Sequence, residues 1–426
     1  MNALDCGGFV QDKCTKFELN TQQQSAADAI QAFLDDPHAR FFGLYGYAGT
    51  GKSTTICHAL KSILEKRICL SSPTHKACGV IAQMAADAAL KADVATIHRL
   101  LGCRKQKKDG EIFFAPDLSK PQAIHEYDVV IIDECSMIGA EMWGWITRAV
   151  EDSDDLKIIV MGDPCQLPPV KDGDMSPTFN LPCARLDKIM RHQGVIEQAA
   201  TAMRESLETP TKTLPVAKDA EDEHGEVVNL HQTEFMAAIL ADLERAKVLA
   251  FTNKAVNWVN AHIREHLFGT DAQPFEPGER LVLVETFSDG IYGMLHTETE
   301  VNVEAAERAM HMDIECWRLR VDSLDGGHFE LYTLVASQRP EFRRRIARAK
   351  DKGKAGAGWG EFYDLKEGFA SVRPGWATTI HKSQGSTYDH VYLIQTNVLS
   401  ASTDPATRKM LLYVGYSRAR KKLILS

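Results

Sequence analysis

The sequence predicts an α/β protein with two parallel-sheet domains, each interrupted by an insertion. In the first half of the chain, short apolar and β-branched runs alternate with helical patterns, as they do in a parallel sheet with crossover helices. A second set of such runs returns near the end, after a stretch of alternating short strands. The length of 426 residues also favours more than one domain, because it exceeds what one hydrophobic core usually organises.

The strand candidates are each followed by turn or cap residues and then by a helical pattern. In the first half they are FFGLY, RICLSS, DVVIID and LKIIVMG. In the second half they are KVLAFTN, GWATTI, DHVYLIQT and the terminal KKLILS. Between them, the runs RLVLVE, IECWRLRV and HFELYTLV in residues 278–336 predict an all-β insertion, and a basic helical segment with the break KGKAGAGWG follows it.

Composition narrows the class of protein. No apolar run approaches the roughly 18 to 20 residues that span a bilayer, and no signal peptide is recognisable, so we expect a soluble, cytoplasmic protein without a membrane partner. The ten cysteines are scattered singly with no C-x-x-C pair. We therefore expect reduced, mostly buried thiols rather than a structural zinc site.

The charge is unevenly distributed. A formal net charge of −9 argues mildly against a nucleic-acid partner. However, CRKQKK is strongly basic, and residues 339–354 hold eight basic and two acidic residues, a local net charge of +6. Such runs are usually solvated faces, so they support nucleic-acid binding only if another feature does.

The segment GYAGTGKST (46–54) fits the P-loop pattern G-x-x-x-x-G-K-[ST] in full. It follows a predicted strand and precedes a predicted helix, the context in which backbone N–H groups surround phosphate oxygens at a helix N-terminus. Lys52 is expected to reach the β- and γ-phosphates, and the Ser53 hydroxyl to bind Mg²⁺. A glycine-rich turn without function is the alternative reading.

The segment VVIIDECSM supplies two carboxylates at the end of an apolar strand. We predict that Asp133 lies beside the magnesium ion and that Glu134 accepts a proton from the attacking water. A P-loop with two carboxylates specifies phosphoryl transfer but not its purpose. In GDPCQLPPV, Asp163 and Gln166 follow a further strand, and a glutamine amide can sense a γ-phosphate because it both donates and accepts hydrogen bonds.

The ordered set of motifs resembles that of superfamily 1B helicases, in the RecD-like group and most of all its phage Dda-type members. The resemblance runs from about residue 17 to the C-terminus. It rests on the segments GYAGTGKST, SSPTHKA, ATIHRLL, VVIIDECSM, GDPCQLPPV, IMRHQ, VLAFTNKAVNWVN, TTIHKSQGS and YVGYSRAR.

The resemblance implies an architecture of two RecA-like domains. Domain 1A would span 1–187, with a pin hairpin (domain 1B) at 103–122. Domain 2A would span 188–277 and 371–426. Between these two parts, an SH3-like domain 2B would span 278–370, with a tower or hook at about 337–370.

The resemblance also implies how ATP would be held and hydrolysed. Arg418 would be an arginine finger supplied by the second domain, and Arg191 would contact the γ-phosphate; with Lys52, Glu134 and Gln166 they form the catalytic set. Gln23 would read the adenine edge, with Gln22 and Gln24 as open alternatives. Mg²⁺ would be bound by Ser53 and Asp133. The remaining nucleotide contacts would be Gly46, Gly49, Thr50, Gly51, Thr54 and Gly385.

Three related segments, SSPTHKA, ATIHRLL and TTIHKSQ, each place a threonine at the end of a strand-like run and then a histidine. A threonine N-cap leaves N–H groups at a helix start that suit a phosphate, although capping alone would also explain it. In the family these motifs line the single strand. The expected contacts are Pro73, Thr74, His75, Thr96, His98, Thr252, Asn253, Thr379, His381 and Lys382.

The segment RKQKKDGEIFFAPDLSKP (104–121) reads as a short basic hairpin. By position it resembles the family's pin, where an aromatic side chain can stack on a base at the fork. We favour Phe114 over Phe113 for this role. The open alternative is that one phenylalanine only anchors the hairpin. The tower, with Trp359, is the least matched stretch.

The sequence therefore predicts an ATP-dependent DNA helicase that moves on single-stranded DNA and unwinds duplex, with 5′-to-3′ polarity implied by the family. A translocase that displaces DNA-bound proteins remains an alternative. A small-molecule phosphotransferase or a DNA-binding protein with a decayed ATPase fits less well. Partners would be single-stranded DNA, DNA forks and a single-strand-binding or replication protein. We expect a monomer, in the host-cell cytoplasm if the chain is phage-encoded.

Overall fold

The computed structural model describes residues 19–108, 111–169, 174–190, 194–209, 214–288, 294–323, 326–356 and 358–426. For 105–108 and 111–113 it describes the backbone only. Arg191 and the side chain of Phe113 therefore lie outside the described part of the protein. The predicted α/β class is confirmed, and the strand candidates named above all form strands.

The first sheet is parallel in every described pairing, with strand order β3-β2-β6-β7-β1-β8. Because β7 lies between β6 and β1, the loops after these three strands meet at one edge of the sheet. The elements of this region are α1 (Thr21–Asp35), β1 (Phe41–Gly46), α2 (Lys52–Leu60), β2 (Ile68–Ser72), α3 (His75–Asp87), β3 (Asp93–Thr96), α4 (Ile97–Leu100), β4 (Cys103–Lys108), β5 (Glu111–Pro116), β6 (Val129–Ile132), α5 (Ala140–Glu151), β7 (Lys157–Gly162) and β8 (Cys183–Leu186).

Burial explains why these segments form central strands. All of β6 and β7 is buried, as expected for apolar strands covered by helices on both faces. In the described part of the chain, β4 and β5 pair only with each other, so the predicted hairpin is separate from the sheet. β8 was not predicted, because the strand has only four residues and most of them are not buried.

A second sheet begins after β8. Its first elements are α6 (Val195–Glu208), β9 (Ala220–Asp222), β10 (Gly225–Asn229), α7 (Gln232–Ala241), β11 (Ala246–Ala250) and α8 (Asn253–Phe268). The β9–β10 hairpin was not predicted, since β9 is a short acidic segment and β10 has only two consecutive valines.

A third sheet, antiparallel throughout its described pairings, interrupts the second one. Its strand order is β17-β16-β15-β12-β18. The elements are β12 (Arg280–Leu283), β13 (Phe287–Ser288), β14 (Met294–Leu295), β15 (Glu300–His311), β16 (Ile314–Ser323), β17 (His328–Leu334), α9 (Arg339–Lys354), α10 (Gly360–Glu367) and β18 (Val372–Pro374). Leu281, Val301, Trp317 and Leu331 are among its core residues.

The chain then returns to the second sheet with β19 (Ala377–Thr379), β20 (Tyr388–Leu393), α11 (Gln395–Leu399), α12 (Pro405–Tyr416) and β21 (Ala419–Leu425). The strand order is β19-β11-β20-β21-β10-β9, parallel except at the β9 edge. The second sheet is therefore built from strands on both sides of the third sheet in the sequence, and β11 lies between β19 and β20.

One short segment joins all three sheets, and we call residues 296–300 the junction loop. Its last residue, Glu300, is also the first of β15, and the Glu300 carboxylate lies 2.6 Å from the Lys247 Nζ of β11 in the second sheet and 3.8 Å from the Lys76 Nζ of α3, which follows β2 of the first. Glu298 pairs with Arg373 at 2.6 Å and with Lys382 at 2.8 Å. The third sheet is thus held against both parallel sheets by charge.

Two further observations bear on composition. The described cysteines carry free thiols, and most of them are buried, as the sequence predicts. No helix in the described ranges has the length and apolar character that crossing a membrane requires.

The Glu300–Lys247 pair yields a prediction about stability. The Lys247 side chain is 4% exposed, so Glu300→Ala leaves a buried ammonium without its carboxylate. We expect the free energy of unfolding to fall by about 3–5 kcal/mol, measured by urea denaturation. Glu226→Ala is the control, because the Glu226–Lys422 pair is partly exposed and its loss should cost less than about 1 kcal/mol. Equal effects of the two substitutions would contradict the prediction.

Candidate nucleotide site and nucleic-acid path

The P-loop turns at two glycines in the left-handed region, Gly49 (φ 82°) and Gly51 (φ 83°). A Cβ on Gly51 would lie 2.3 Å from Gln23 Nε2, so space as well as conformation requires glycine there. Helix α2 starts at Lys52 without a side-chain cap, which leaves its N–H groups to a phosphate. The Lys52 ammonium donates to the carbonyls of Gly46 (2.7 Å) and Tyr47 (3.1 Å), bonds that phosphate oxygens would replace.

The Gln23 side chain connects the start of α1 to the P-loop. Its Oε1 accepts from the Asn20 N–H in a capping box at the start of α1, and its Nε2 donates to the Thr50 carbonyl at 3.1 Å. The side chain is buried. Of the alternatives, Gln22 instead bonds to Asp187 and to the backbone N–H of Lys188. Recognition of adenine by Gln23 stays a prediction.

Asp133 and Glu134 follow β6 directly. The Glu134 N–H donates to Asp133 Oδ1 at 2.8 Å, and Glu134 has φ 55°, a strained conformation for a side-chain-bearing residue. Burial first, and then the Asp133 charge, raise the pKa of Glu134 to about 7, against the opposing effects of Arg418 and Lys52. A carboxyl with a pKa near neutrality is suited to accept a proton.

The same edge of the sheet offers hard oxygen ligands. Burial raises the pKa of Asp133, because the charged carboxylate loses water there, and a bound divalent cation would oppose that effect. The Ser53 hydroxyl, in the first turn of α2, and the Asp133 carboxylate are the donor types that Mg²⁺ prefers. These residues would hold the ion.

The loop after β7 contains a buried carboxylate, Asp163, that is 1% exposed. Its Oδ2 accepts from the Tyr413 hydroxyl at 2.5 Å and from the Ala48 N–H at 3.2 Å, and its Oδ1 accepts from the Cys165 N–H at 2.9 Å. Burial and the Asp163 charge raise the pKa of Tyr413 well above its ordinary value, so the phenol stays a donor. One carboxylate thereby joins the P-loop to α12 of the second sheet.

Arg418 lies in the cleft between the two parallel sheets. Its guanidinium is buried and donates to the carbonyls of Val414 (3.1 Å) and Ser386 (3.1 Å) and to the Ser417 hydroxyl (2.9 Å). Its charge nevertheless lowers the pKa of Glu134, which lies on the first sheet. A Cβ on Gly385 would lie 3.8 Å from Glu134 Oε1. The structure thus brings Arg418, Gly385 and Glu134 to one cleft.

Two other predicted catalytic residues are less fully defined. Gln166 is buried, and its Oε1 accepts from Gln384 Nε2 across the cleft at 3.5 Å. Arg191 lies outside the described residues, but the neighbouring Met190 N–H donates to the Gly49 carbonyl at 2.9 Å. Both roles stay predictions.

A cavity of about 420 Å³ opens beside the P-loop. Its walls come from both parallel sheets and include Tyr47, Arg204, Tyr413 and Arg420. The Arg204 guanidinium stacks on the Tyr47 ring, with 3.8 Å to the centroid. The cleft between the sheets is therefore open enough for a ligand next to the phosphate-binding loop.

The threonines assigned to the nucleic-acid path all make local caps. Thr74, Thr96 and Thr252 are N-caps of α3, α4 and α8, and their hydroxyls accept N–H bonds at 3.2 to 3.3 Å. The Thr379 hydroxyl accepts from the Lys382 N–H at 3.3 Å. Capping is thus confirmed, and contact with DNA stays a prediction for these residues and for the half-buried Pro73 and the exposed Asn253.

The histidines of the path are neutral rings. Burial lowers the pKa of His98 and His381, and burial with the nearby His296 and His98 lowers that of His75 to about 4. His98 lies edge-on to Phe114 at a centroid distance of 6.4 Å. Phe114 is 53% exposed, which fits a surface role rather than a buried anchor. These rings suit stacking better than ionic contact with phosphates.

Sequence reasoning missed two residues of the cleft. Tyr413 occurs in the apolar run LLYVG five residues before Arg418, and a tyrosine there has no local signature. Gln384 is the last residue of the segment TTIHKSQ, and its partner Gln166 lies far away in the sequence. Only the packing of the two sheets brings these pairs together.

A P-loop with two carboxylates on one sheet and an arginine on a second sheet defines a nucleoside triphosphatase whose site is shared between two domains. Residues 18–239, just over half of the chain, match the AAA domain family, and residues 374–426 match the UvrD-like helicase C-terminal domain. The chain belongs to the AAA domain family, and the two matches together with its relatives identify it as a superfamily 1B helicase of the Dda- and RecD-like group. As such it is a P-loop ATPase of the helicase type.

Relatives and solved structures agree with this assignment. The chain is 27% identical to the ATP-dependent DNA helicase dda of Enterobacteria phage T4, over 88% of this chain and 92% of that protein. It is 27% identical to the RecBCD enzyme subunit RecD of Mycobacterium tuberculosis, over 89% of this chain and 65% of RecD. Its fold is similar to that of a Bacteroides Pif1 helicase solved with ADP-AlF3 and ssDNA, with a TM-score of 0.53, 17% identity and coverage of 96% and 92%.

The Tyr413–Asp163 bond yields a prediction about hydrolysis. Tyr413→Phe removes a charge-assisted hydrogen bond that ties α12 to the P-loop, so we expect ATP turnover to fall about tenfold while nucleotide affinity changes little. Steady-state ATPase assays and equilibrium nucleotide binding measure the two quantities. Tyr416→Phe is the control, because among the described residues the Tyr416 hydroxyl bonds within the second sheet's region, to Gln395 at 2.5 Å. Similar turnover in the two variants would refute the link.

Proposed function

We propose that this protein is an ATP-dependent DNA helicase that translocates on single-stranded DNA and separates duplex DNA. The observation that carries the proposal is the shared nucleotide site: a Cβ on Gly385 would lie 3.8 Å from Glu134 Oε1 of the first domain, and Arg418 donates to the carbonyl of the adjacent Ser386 at 3.1 Å. Hydrolysis at such a site depends on how the two sheets approach each other, which converts chemistry into motion. The names and titles of the relatives, a DNA helicase and a Pif1 bound to ssDNA, support the substrate class.

The residues of the cleft have distinct roles in hydrolysis. The N–H groups at the start of α2 and the Lys52 ammonium bind the phosphates, and Glu134 accepts the proton of the attacking water. Mg²⁺, held by Ser53 and Asp133, would neutralise charge on the β- and γ-phosphates. Gln166 senses the γ-phosphate. Arg418 leaves the Ser386 and Val414 carbonyls for the transferring phosphoryl when ATP draws the sheets together.

Both sheets contribute to the proposed single-strand path. Thr74, His75 and His98 stand on the first, and Thr379 and Lys382 on the second. Because each sheet has its own contacts, alternate opening and closing of the cleft would move the protein along a strand. The direction proposed, 5′ to 3′, rests on family resemblance.

Separation of the duplex is assigned to the β4–β5 hairpin. Opening a base-pair step costs about 1.4 kcal/mol on average, so an aromatic ring that stacks on the first open base would favour separation. The exposure of Phe114 and its edge-on contact with His98, itself a path residue, support a position at the fork.

The test is ATP hydrolysis with and without single-stranded DNA, followed by unwinding of partial duplexes with a 5′ or a 3′ tail. We expect stimulation by DNA and unwinding from the 5′ tail alone. Lys52→Ala is the control that should lose hydrolysis and keep DNA binding. Stimulation without unwinding would favour a translocase that displaces proteins, and no stimulation would refute the nucleic-acid path.

A second experiment concerns the arginine finger. Arg418→Ala should still bind ATP but hydrolyse it about 10³-fold more slowly or worse, because the transferring phosphoryl loses its opposite charge. Lys421→Ala is the matched control. Its side chain is 65% exposed and lies 2.7 Å from Asp389, so turnover should change little. Near-normal turnover of Arg418→Ala would remove the finger role.

A third experiment concerns the pin. Phe114→Ala should reduce the unwinding rate several-fold, because stacking on one base contributes about 1–3 kcal/mol, and should leave DNA-stimulated ATPase nearly unchanged. Leu118→Ala, which truncates an exposed apolar side chain just after the hairpin, should affect neither. Equal losses of unwinding and ATPase in Phe114→Ala would indicate structural damage instead.

A further inference from the structure

The junction loop places a histidine against the proposed single-strand path. The imidazole of His296 stacks on that of His75, with ring centroids 4.0 Å apart and planes 8° apart. His75 is the first residue of α3, at the carboxyl edge of the first sheet, whereas His296 belongs to the third sheet's region. The stack therefore joins the first sheet's region to the third sheet's region.

The chemistry of this ring pair suits a planar ligand. Burial lowers the pKa of both imidazoles, so both are neutral at pH 7 and neither attracts phosphate by charge. The Nδ1 atom of His296 is buried and makes no hydrogen bond among the described residues. Buried polar atoms are nearly always satisfied, so this nitrogen points to a missing hydrogen-bonding partner. A nucleobase offers the flat aromatic face on which such a ring pair can stack.

The surroundings of the stack belong to the same path. His98 is near enough to lower the pKa of His75, and it lies edge-on to Phe114 of the hairpin. A series of aromatic rings thus extends from His296, through His75 and His98, to Phe114 of the pin. In the junction loop itself, Glu298 binds Lys382 at 2.8 Å, a cation assigned to DNA on the second sheet. The loop therefore contacts path residues on both sides of the cleft.

We propose that His296 and His75 form a clamp for a base of single-stranded nucleic acid. A base enters between the two imidazoles, and a backbone phosphate takes Lys382 from Glu298. The clamp rests on the proposed function and adds to it a residue that none of the nine motifs contains. Entry of the base requires the rings to separate by about 3.4 Å, the spacing of stacked bases. Recognition would be independent of sequence, because every base has a π-face.

The test compares wild type with His296→Ala in binding a thymidine oligonucleotide and an oligonucleotide of the same length made of abasic sites. We expect His296→Ala to raise the Kd for the thymidine strand about tenfold and to leave the Kd for the abasic strand unchanged. His296→Phe, which keeps an aromatic ring, should retain most of the affinity.

His311→Ala is the matched control. His311 forms an equivalent stack on Tyr332 in the third sheet, at 4.1 Å and 8°, away from the path residues. This substitution should leave both dissociation constants unchanged. Thermal unfolding of both variants reports on any general damage.

The test distinguishes failure of the clamp from failure of the proposed function. One outcome is that wild type binds the thymidine strand and His296→Ala binds it equally well. Another is that His296→Ala loses the same affinity for the abasic strand as for the thymidine strand. Either result would make the stack a packing contact and refute the clamp, while leaving the proposed function intact. If wild type neither binds single-stranded DNA nor is stimulated by it, the proposed function fails first.

Discussion

The buried carboxylate of Asp163 is the interaction on which the cleft depends. It accepts hydrogen bonds from the P-loop, from its own loop and from α12, which belong to different parts of the chain. A carboxylate that is removed from water is costly unless its hydrogen bonds are made, so the three donors are held at fixed distances from one another. Arg418 comes two residues after the end of α12. The hydrogen bond between Tyr413 of α12 and Asp163 therefore sets how closely Arg418 approaches Glu134.

The parallel sheets explain why the Asp163 carboxylate can bond to the P-loop, to its own loop and to α12. With the strand order β6-β7-β1, the loop carrying Asp163 emerges between the loop carrying Glu134 and the P-loop. Carboxyl ends of parallel strands meet at one edge, so residues far apart in sequence become neighbours there. The second sheet presents its own loop and helix ends to this edge, with Gly385 and Arg418 near Glu134.

Features that depend on local pattern were predictable, and features that depend on packing were not. The strands of both parallel sheets, the P-loop and the Asp133–Glu134 pair are recognisable because their patterns lie within a few residues. Strand β15 was not singled out, since EAAERAM contains good helix formers and becomes a strand only by pairing between β12 and β16. The Tyr413–Asp163 bond and the His75–His296 stack join distant residues, so no local pattern announces them.

The junction loop shows how a segment can be fixed and movable at once. At one end, Glu300 meets the nearly buried ammonium of Lys247, a pair whose separation would leave a buried charge without an opposite charge. At the other end, Lys382 is 46% exposed, so its pair with Glu298 contributes little and a phosphate can replace the carboxylate without leaving the cation unpaired. The imidazole stack lies at this weaker end. A strand that enters the path would therefore displace His296 and Glu298 while Glu300 keeps the third sheet docked, so that binding of nucleic acid exchanges contacts instead of breaking the junction.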